Sequence, residues 1–297
     1  MMRKGLVTVA IAALVLGHGV ITPAHAVPGW RFIRELFSGG RPAVGSPRGG
    51  TRNDIPYIIT PRKTAILTPV PEFQWHAVPR ALAYTVTLRG PEGIVWTTTV
   101  TEPRVTYGGD QALKPGVPYS LTVKAEAIAA NSTLTSTEEG LPGLSFYLLP
   151  DEQKIQLMET IETLQPPDTV AESLALAKTY RDYNIMGEAI ALLERRRSEG
   201  ATSIELNRLL GELYLQVRLN RDARNVFEQA RALAESTDDL RHQADINAFL
   251  AHIALGMRQP DVARQYLAEA EALYVKVGDG AKADSVNAWL AVLNAGD

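Results

Sequence analysis

The residues that could carry acid, base or metal chemistry are few and widely spaced in this sequence. Beyond residue 26 the histidines are His76, His242 and His252, and none has a second ligand at the spacing of a His-Glu-x-x-His zinc site. Adjacent carboxylates at positions 138–139 and 238–239 fall where loops or helix starts are predicted, and capping or solvation is their usual role there. We therefore expect no catalytic residues, no bound metal and no cofactor, and we predict that the chain is not an enzyme.

Composition excludes further classes of site. The sequence contains no Gly-x-Ser-x-Gly nucleophile elbow, no Gly-x-x-x-x-Gly-Lys phosphate loop and no Gly-x-Gly-x-x-Gly turn. It has no cysteine, which rules out a disulfide framework, a thiol nucleophile and a cysteine zinc cluster. With 30 basic and 33 acidic residues the formal net charge is −3, so we expect no nucleic-acid partner.

The first 26 residues have the composition of a secretory signal peptide. Arg3-Lys4 precedes an apolar run over residues 5–22, and Ala24-His25-Ala26 places small residues at both key positions of a cleavage site. An uncleaved membrane anchor is the alternative, but glycines interrupt the run, and no later segment approaches the roughly 18 apolar residues of a spanning helix. We predict cleavage after Ala26, no transmembrane helix after cleavage, and export to the periplasm or the extracellular space.

Residues 27–56 form a predicted disordered arm that is rich in Gly, Pro and Arg. From Val27 to Lys63 there are seven basic residues and two acidic ones, so the arm is either a solvated linker or a contact for an anionic surface. The Gly-Arg-Pro and Gly-Ser-Pro-Arg-Gly-Gly-Thr-Arg pattern of residues 40–52, directly after a signal peptide, resembles the mature start of exported cyanobacterial proteins of a domain family of unknown function. That resemblance implies an origin rather than an activity.

Between residues 57 and 150 hydrophobic residues alternate with a period of two, which predicts short, half-buried strands. Leu82, Tyr84, Val86 and Leu88 share one face if the alternation holds. Turns that contain Gly and Pro separate such runs. Six or seven strands at this spacing predict an antiparallel β-sandwich.

The same region resembles a fibronectin type III or related immunoglobulin-like domain. Residues 71–75, Pro-Glu-Phe-Gln-Trp, match the strand that carries a buried Trp, and residues 113–119, Leu-Lys-Pro-Gly-Val-Pro-Tyr, match the turn into the tyrosine-bearing strand. The resemblance implies that Trp75 and Tyr119 are core residues. Trp96 is the aromatic residue most open to a surface role, although packing in the core or at an edge is the more common arrangement.

From residue 151 to residue 297 the period changes to 3.6, and Ala, Leu, Glu and Arg dominate, which predicts helices. The motif Leu176-Ala177-x-x-Tyr180 recurs after 34 residues as Leu210-Gly211-x-x-Tyr214 and, less closely, after a further 40 at residues 250–254. Such periods are typical of stacked helix pairs, whose small residues allow close approach. The predicted pairs span residues 170–203, 204–238 and 244–278, with a capping helix at 281–294.

This pattern resembles the tetratricopeptide repeat (TPR), in which helix pairs stack into a solenoid and the inner helices line a groove that binds a peptide or a partner helix. On this resemblance the groove candidates are Leu174, Lys178, Arg181, Arg208, Glu212, Leu215 and His252. The basic triplet Lys178, Arg181 and Arg208 is suited to an acidic segment, with ordinary solvated helix charges as the alternative. The Lys and Asn pattern of chaperone-binding members is not reproduced, so a chaperone C-terminus is not expected.

The sequence therefore predicts a multidomain protein, all-β followed by all-α. An antiparallel β-sandwich spans residues 57–150, and an α-solenoid of TPR-like helix pairs spans residues 151–297. The expected function is that of a secreted, non-enzymatic adaptor or scaffold of the bacterial envelope that binds a protein or peptide in its groove. The alternative is an envelope polysaccharide-binding protein that uses Trp96 and neighbouring tyrosines, which would require coplanar aromatic rings that face solvent.

Overall fold

A computed structural model describes residues 55–127, 133–136 and 145–294 of the 297-residue chain. The predicted signal peptide and the arm up to residue 54 lie outside these ranges. The strands are β1 (Ile58–Thr60), β2 (Ala65–Ile66), β3 (Glu72–Trp75), β4 (Ala81–Gly90), β5 (Gly93–Val100), β6 (Arg104–Thr106), β7 (Pro118–Ala127), β8 (Thr133–Thr135) and β9 (Ser145–Leu148). The helices are α1 (Asp151–Glu162), α2 (Val170–Asp182), α3 (Met186–Ser198), α4 (Ile204–Gln216), α5 (Asn220–Ser236), α6 (Leu240–Gly256), α7 (Pro260–Lys276) and α8 (Gly280–Asn294).

The strands form two sheets that share one hydrophobic core. Strands β1, β3 and β6 make a three-stranded antiparallel sheet, and the larger sheet has the order β2-β9-β7-β4-β5 with β8 beside β7. Phe73 of β3 belongs to the same buried cluster as Tyr84, Val86 and Leu88 of β4. Alternation along β4 therefore buries every second side chain, as the period of two predicted.

The alternation fails at the start of β4. Leu82 is 59% exposed, whereas the sequence pattern placed it on the buried face with Tyr84. The pairing of β4 with β7 shifts register between Ala81 and Ala83. Because side chains alternate between the two faces of a strand, such an irregularity turns Leu82 away from the core.

Trp75 and Tyr119 are core residues, as expected. Trp75 is 2% exposed, and its ring meets that of Tyr84 edge-on with centroids 5.3 Å apart. The Tyr119 hydroxyl accepts a hydrogen bond from the backbone N–H of Lys114 at 2.9 Å. This bond ties the start of β7 to the turn before it, as tyrosine corners do in immunoglobulin-like domains.

The two helices of each pair turn through one residue in the left-handed conformation. At Asn184 φ is 61°, and the next amide, that of Ile185, donates to the carbonyl of Tyr180 at 2.8 Å. Arg218 and Arg258 repeat this geometry with φ of 61° and 59° in the second and third pairs. The repeated turn, a Schellman-type closure, ends the first helix of each pair and leads into the second.

Local signals fix the starts of several helices. Thr169 and Glu172 form the expected capping box before α2, and Pro260 is the first residue of α7. Helix α6 begins at Leu240, earlier than the predicted start at residue 244. Asp239 accepts a hydrogen bond from the His242 amide and caps the added turn.

The segment before β2 joins the sheets to the helices. Ile55 and Tyr57 are buried in a cluster with side chains of α2, α3, α4 and α5, although the sequence pattern placed Ile55 in the arm. The Thr64 hydroxyl donates to the carbonyl of Asn184 at 3.0 Å and accepts from the amide of Met186 at 2.8 Å. Thr64, directly before β2, is therefore hydrogen-bonded to the turn of the first helix pair.

Candidate partner-binding surface

The first helices of the three predicted pairs, α2, α4 and α6, carry the predicted groove residues at positions that the repeat spacing makes equivalent. Lys178, Glu212 and His252 occupy one such position, with spacings of 34 and 40 residues. Leu174 and Arg208 occupy a position one helical turn earlier. Equivalent positions of successive helix pairs thus carry unlike side chains.

Three predicted groove residues form an ionic cluster between α2 and α4. Glu212 is 3% exposed and pairs with Arg208, one turn earlier on α4. The second carboxylate oxygen of Glu212 lies 3.7 Å from the guanidinium of Arg181 on α2, and Arg181 also lies 3.5 Å from the Asp182 carboxylate. Two of the three cations that the sequence offered to an acidic ligand are therefore paired within the chain.

Burial and charge act in opposite directions on these carboxyl groups. Burial raises the pKa of Glu212 above its ordinary value, and the charges of Arg208 and Arg181 offset part of that rise. Burial likewise raises the pKa of Asp182 against the effect of Arg181. The charge of Lys178 lowers the pKa of both carboxyl groups, and its side chain is exposed. Of the three cations, Lys178 is thus the one that is most accessible to a partner.

A second ionic group joins α6 to α7 and α8. Asp245 of α6 accepts a hydrogen bond from the Tyr274 hydroxyl at 2.9 Å and one from the Lys282 ammonium at 3.3 Å. Burial raises the pKa of Asp245, and Lys282 offsets part of the rise. Tyr274 and Lys282 were not among the predicted site residues, because they lie 29 and 37 residues from Asp245 and no local spacing indicates the contact.

The remaining groove candidates are partly or largely withdrawn from solvent. Leu174 is half-buried against the core of the first pair, and Leu215 is 7% exposed in a cluster with Phe249. Burial lowers the pKa of His252 to about 4, and the positive charge of Arg218 acts in the same direction. The His252 imidazole is therefore neutral at neutral pH, and Leu215 offers little surface to a partner.

The rings around Trp96 do not form a flat, exposed platform. Trp96 is half-buried, and its ring centroid lies 5.4 Å from that of Tyr107 with the planes at 71°. Tyr84, Tyr107 and Tyr119 are buried. The coplanar, solvent-facing aromatics that polysaccharide binding would require are not formed by these residues.

Within residues 55–127, 133–136 and 145–294, no three His, Asp or Glu side chains are placed to hold a metal ion. No helix in the described part of the chain combines the length and the apolar character needed to cross a membrane.

No protein-family model matches this chain, and no curated protein sequence matches it significantly. Two solved structures are similar to part of it, a crystal structure of MamA and a second crystal structure of MamA protein. Each is 18% identical to this chain with a TM-score of 0.33 and covers 48% of it. The similarity extends over 91% and 82% of the two matched chains.

Proposed function

We propose that this protein is an exported, non-enzymatic scaffold of the bacterial envelope whose inner helices bind an acidic segment of a partner protein. The observation that carries this proposal is the position of Glu212 between Arg181 of the first helix pair and Arg208 of the second. This contact supports a continuous inner surface, because it brings groove positions from consecutive pairs together.

The charge balance of that surface favours an acidic ligand. Lys178, Arg181 and Arg208 supply three positive charges, and Glu212 and Asp182 are the carboxylates paired with them. Burial raises the pKa of both carboxyl groups, which means that it disfavours their negatively charged form. The exposed Lys178 carries the surplus positive charge and is the residue to which a partner carboxylate would bind.

The proposed scaffold combines a β-sandwich with a helical solenoid. The strand order and the bond between Tyr119 and Lys114 support a fibronectin type III-like sandwich at residues 57–150. The repeated turns at Asn184, Arg218 and Arg258 support a TPR-like solenoid. In this arrangement the sandwich acts as a spacer that is firmly joined to the first helix pairs.

Export is proposed from the signal-peptide pattern of residues 1–26, and the periplasm or the extracellular space is the proposed location. The basic arm that follows would then lie outside the cytoplasm, where lipid headgroups and envelope polymers offer anionic surfaces.

The test is affinity capture from the envelope fraction of the source organism, followed by calorimetry with the protein that is recovered. Lys178→Glu is the test variant, because it inverts the exposed charge and leaves the pairing of Glu212 with Arg208 in place. Lys276→Glu, at an exposed lysine in the last turn of α7, is the matched control with the same change in net charge.

We expect Lys178→Glu to weaken binding at least tenfold and Lys276→Glu to leave it within about twofold. Binding should also weaken as salt concentration rises. A partner that binds both variants as tightly as it binds the wild type would place the contact elsewhere and overturn the proposed site.

A further inference from the structure

Strand β5 is the long edge strand in the described part of the β domain. It lies at one end of the order β2-β9-β7-β4-β5 and contains eight residues. Strands β1, β2 and β6, which end the sheets elsewhere, contain three, two and three residues. Short edges limit pairing with other chains, whereas a long edge presents a row of backbone donors and acceptors.

The sequence of β5 lacks the usual protection of an edge. Gly93–Val100 reads Gly-Ile-Val-Trp-Thr-Thr-Thr-Val and contains no charged residue and no proline. Its residues are mostly β-branched, the type that favours strands. Negative design normally places Lys or Pro on such an edge, so this strand is chemically suited to pair.

One irregularity limits the segment that is free to pair. Trp96 lies opposite Leu88 of β4 and Ile94 lies opposite Arg89, so Val95 has no opposite residue and forms a bulge. Residues 96–100 are in regular register with β4. Because a bulge bends and twists an edge, this five-residue run is the part available for a straight ladder.

The exposure of the side chains agrees with a second strand beside this run. Thr97 and Thr99 are exposed on the outer face, whereas Trp96, Thr98 and Val100 are half-buried on the core face. Among the described residues, no strand pairs with β5 on the side away from β4. An incoming strand would continue both faces of the sheet.

We propose that β5 pairs antiparallel with β5 of a second copy of this chain, with the two-fold axis at Thr98. In an antiparallel pair, opposite residues share a face, so a symmetric pair must place one residue directly opposite its own copy. The two-fold axis then lies midway between these two copies. An axis at Thr98 pairs all five regular residues and places Thr97 opposite Thr99 of the second copy. An uncharged strand meets itself without repulsion between like charges, which favours a second copy over a partner selected by charge.

The consequence is a dimer with one continuous sheet and two helical domains. This inference is independent of the ligand proposed for the inner helices. If that ligand also exists, the dimer presents two binding surfaces and gains avidity for repeated partners.

The chain contains no cysteine, so introduced thiols report on this register without background. Directly opposite Cα atoms in an antiparallel pair lie about 4.5–5.5 Å apart, within the disulfide range of about 4.4–6.8 Å. We expect a mixture of Thr97→Cys and Thr99→Cys chains to form a disulfide-linked dimer upon mild oxidation. Neither variant alone should do so, because its own cysteines would lie two residues out of register.

The matched control is a mixture of Thr87→Cys and Thr85→Cys chains. These β4 residues lie opposite Thr97 and Thr99, but in the dimer they would be three strand spacings apart, about 14 Å. We expect this mixture to give no more cross-linking than wild-type protein. Cross-linking of the β4 mixture to the same extent as the β5 mixture would contradict the proposal.

Sedimentation velocity of the wild-type protein supplies the second measurement. We expect a concentration-dependent dimer that dissociates in the Thr97→Lys/Thr99→Lys variant, where lysines would face each other, and persists in Thr85→Lys/Thr87→Lys. Wild-type protein that remains monomeric at every concentration overturns the proposal. So does a dimer that is unchanged by the β5 lysines and is not cross-linked through β5.

Discussion

The Nε of Arg62 donates a hydrogen bond of 2.6 Å to the backbone carbonyl of Val217, which is 155 residues further along the chain. Arg62 is 2% exposed, and it also donates to the carbonyl of Ile58 at 3.1 Å and to the hydroxyl of Tyr57 at 2.9 Å. Its guanidinium carbon lies 4.4 Å from the centre of the Tyr57 ring. The strand region is therefore joined to the turn of the second helix pair by one buried arginine.

Replacement of Arg62 should loosen this junction. Arg62→Met retains an apolar stem but leaves the carbonyls of Val217 and Ile58 without this donor in a buried site. Buried acceptors that lose their partner are costly, so we expect the free energy of unfolding to fall by about 3 kcal/mol. Urea denaturation followed by circular dichroism measures it. Arg104→Met, at an exposed arginine of β6, is the control, and equal losses in the two variants would rule out a special role for Arg62.

Gly211 is needed for the packing of α4 on α5. A Cβ at this position would lie 2.7 Å from two carbon atoms of the Phe227 ring, and that ring is stacked on Phe249 with centroids 4.7 Å apart. Gly211→Ala should therefore destabilise the protein by about 2 kcal/mol, although Ala is the better helix former.

The control for this prediction is Gly256→Ala in α6. Its nearest contact would be the Asn220 amide nitrogen at 3.5 Å, which is an ordinary distance. We expect this variant to be neutral or slightly more stable in thermal unfolding. Equal melting temperatures for Gly211→Ala and Gly256→Ala would contradict the packing argument.

The neutral imidazole of His252 should make the fold sensitive to acid. Burial lowers its pKa from 6.5 to about 4, so between these values the unfolded chain binds a proton that the folded chain does not. The contribution of His252 to stability is therefore complete above pH 6.5 and is lost as the pH falls toward 4. Nuclear magnetic resonance of the ring should give a midpoint of about 4, and His252→Gln should flatten the decline in unfolding free energy. A midpoint near 6.5 would show that the side chain is solvated.

The carboxylate of Glu212 depends on Arg208. In Arg208→Met the pKa of Glu212 should rise further, because burial is then opposed mainly by Arg181. An acid whose pKa is raised by folding destabilises the folded state as the pH increases, so the variant should lose about 3 kcal/mol at neutral pH and less below the ordinary carboxyl pKa.

The double variant Arg208→Met/Glu212→Leu tests the cause. It removes both members of the pair and should recover most of the lost stability, since an apolar pair of similar volume often replaces a buried ion pair without cost. Chemical denaturation at several pH values compares the three proteins. A double variant that is as unstable as the single one would assign the loss to packing rather than charge.

Local patterns predicted much of the fold because their physical causes are local. The period of 3.6 and the capping box at Thr169 placed α2 at its observed start. The period of two placed Tyr84, Val86 and Leu88 in the core. Leu82 departed from that pattern because a register shift depends on the partner strand β7, which lies more than 30 residues away in the sequence.

The candidate site was predicted as a set of positions but not as a network. The repeat spacing of 34 residues aligned Lys178 with Glu212, since equal positions in successive pairs are a property of the period. It did not reveal that Arg181 and Arg208 share Glu212, or that Tyr274 and Lys282 bind Asp245. These pairs depend on which side chains come into contact when the chain folds. A charged group that becomes buried is stable only if it is paired with an opposite charge or becomes neutral.

By itself, the sequence determined the helix-forming and strand-forming segments and the shortage of catalytic motifs, because composition and short-range spacing govern these properties. The tertiary structure alone decided that Arg62, counted from the sequence among seven basic residues around the arm, is buried against Val217. It also decided that β5 lies at the end of its sheet within the part of the chain that the structure describes. Both outcomes depend on contacts between distant segments, whose stabilising free energy arises only once the chain has folded and excluded water.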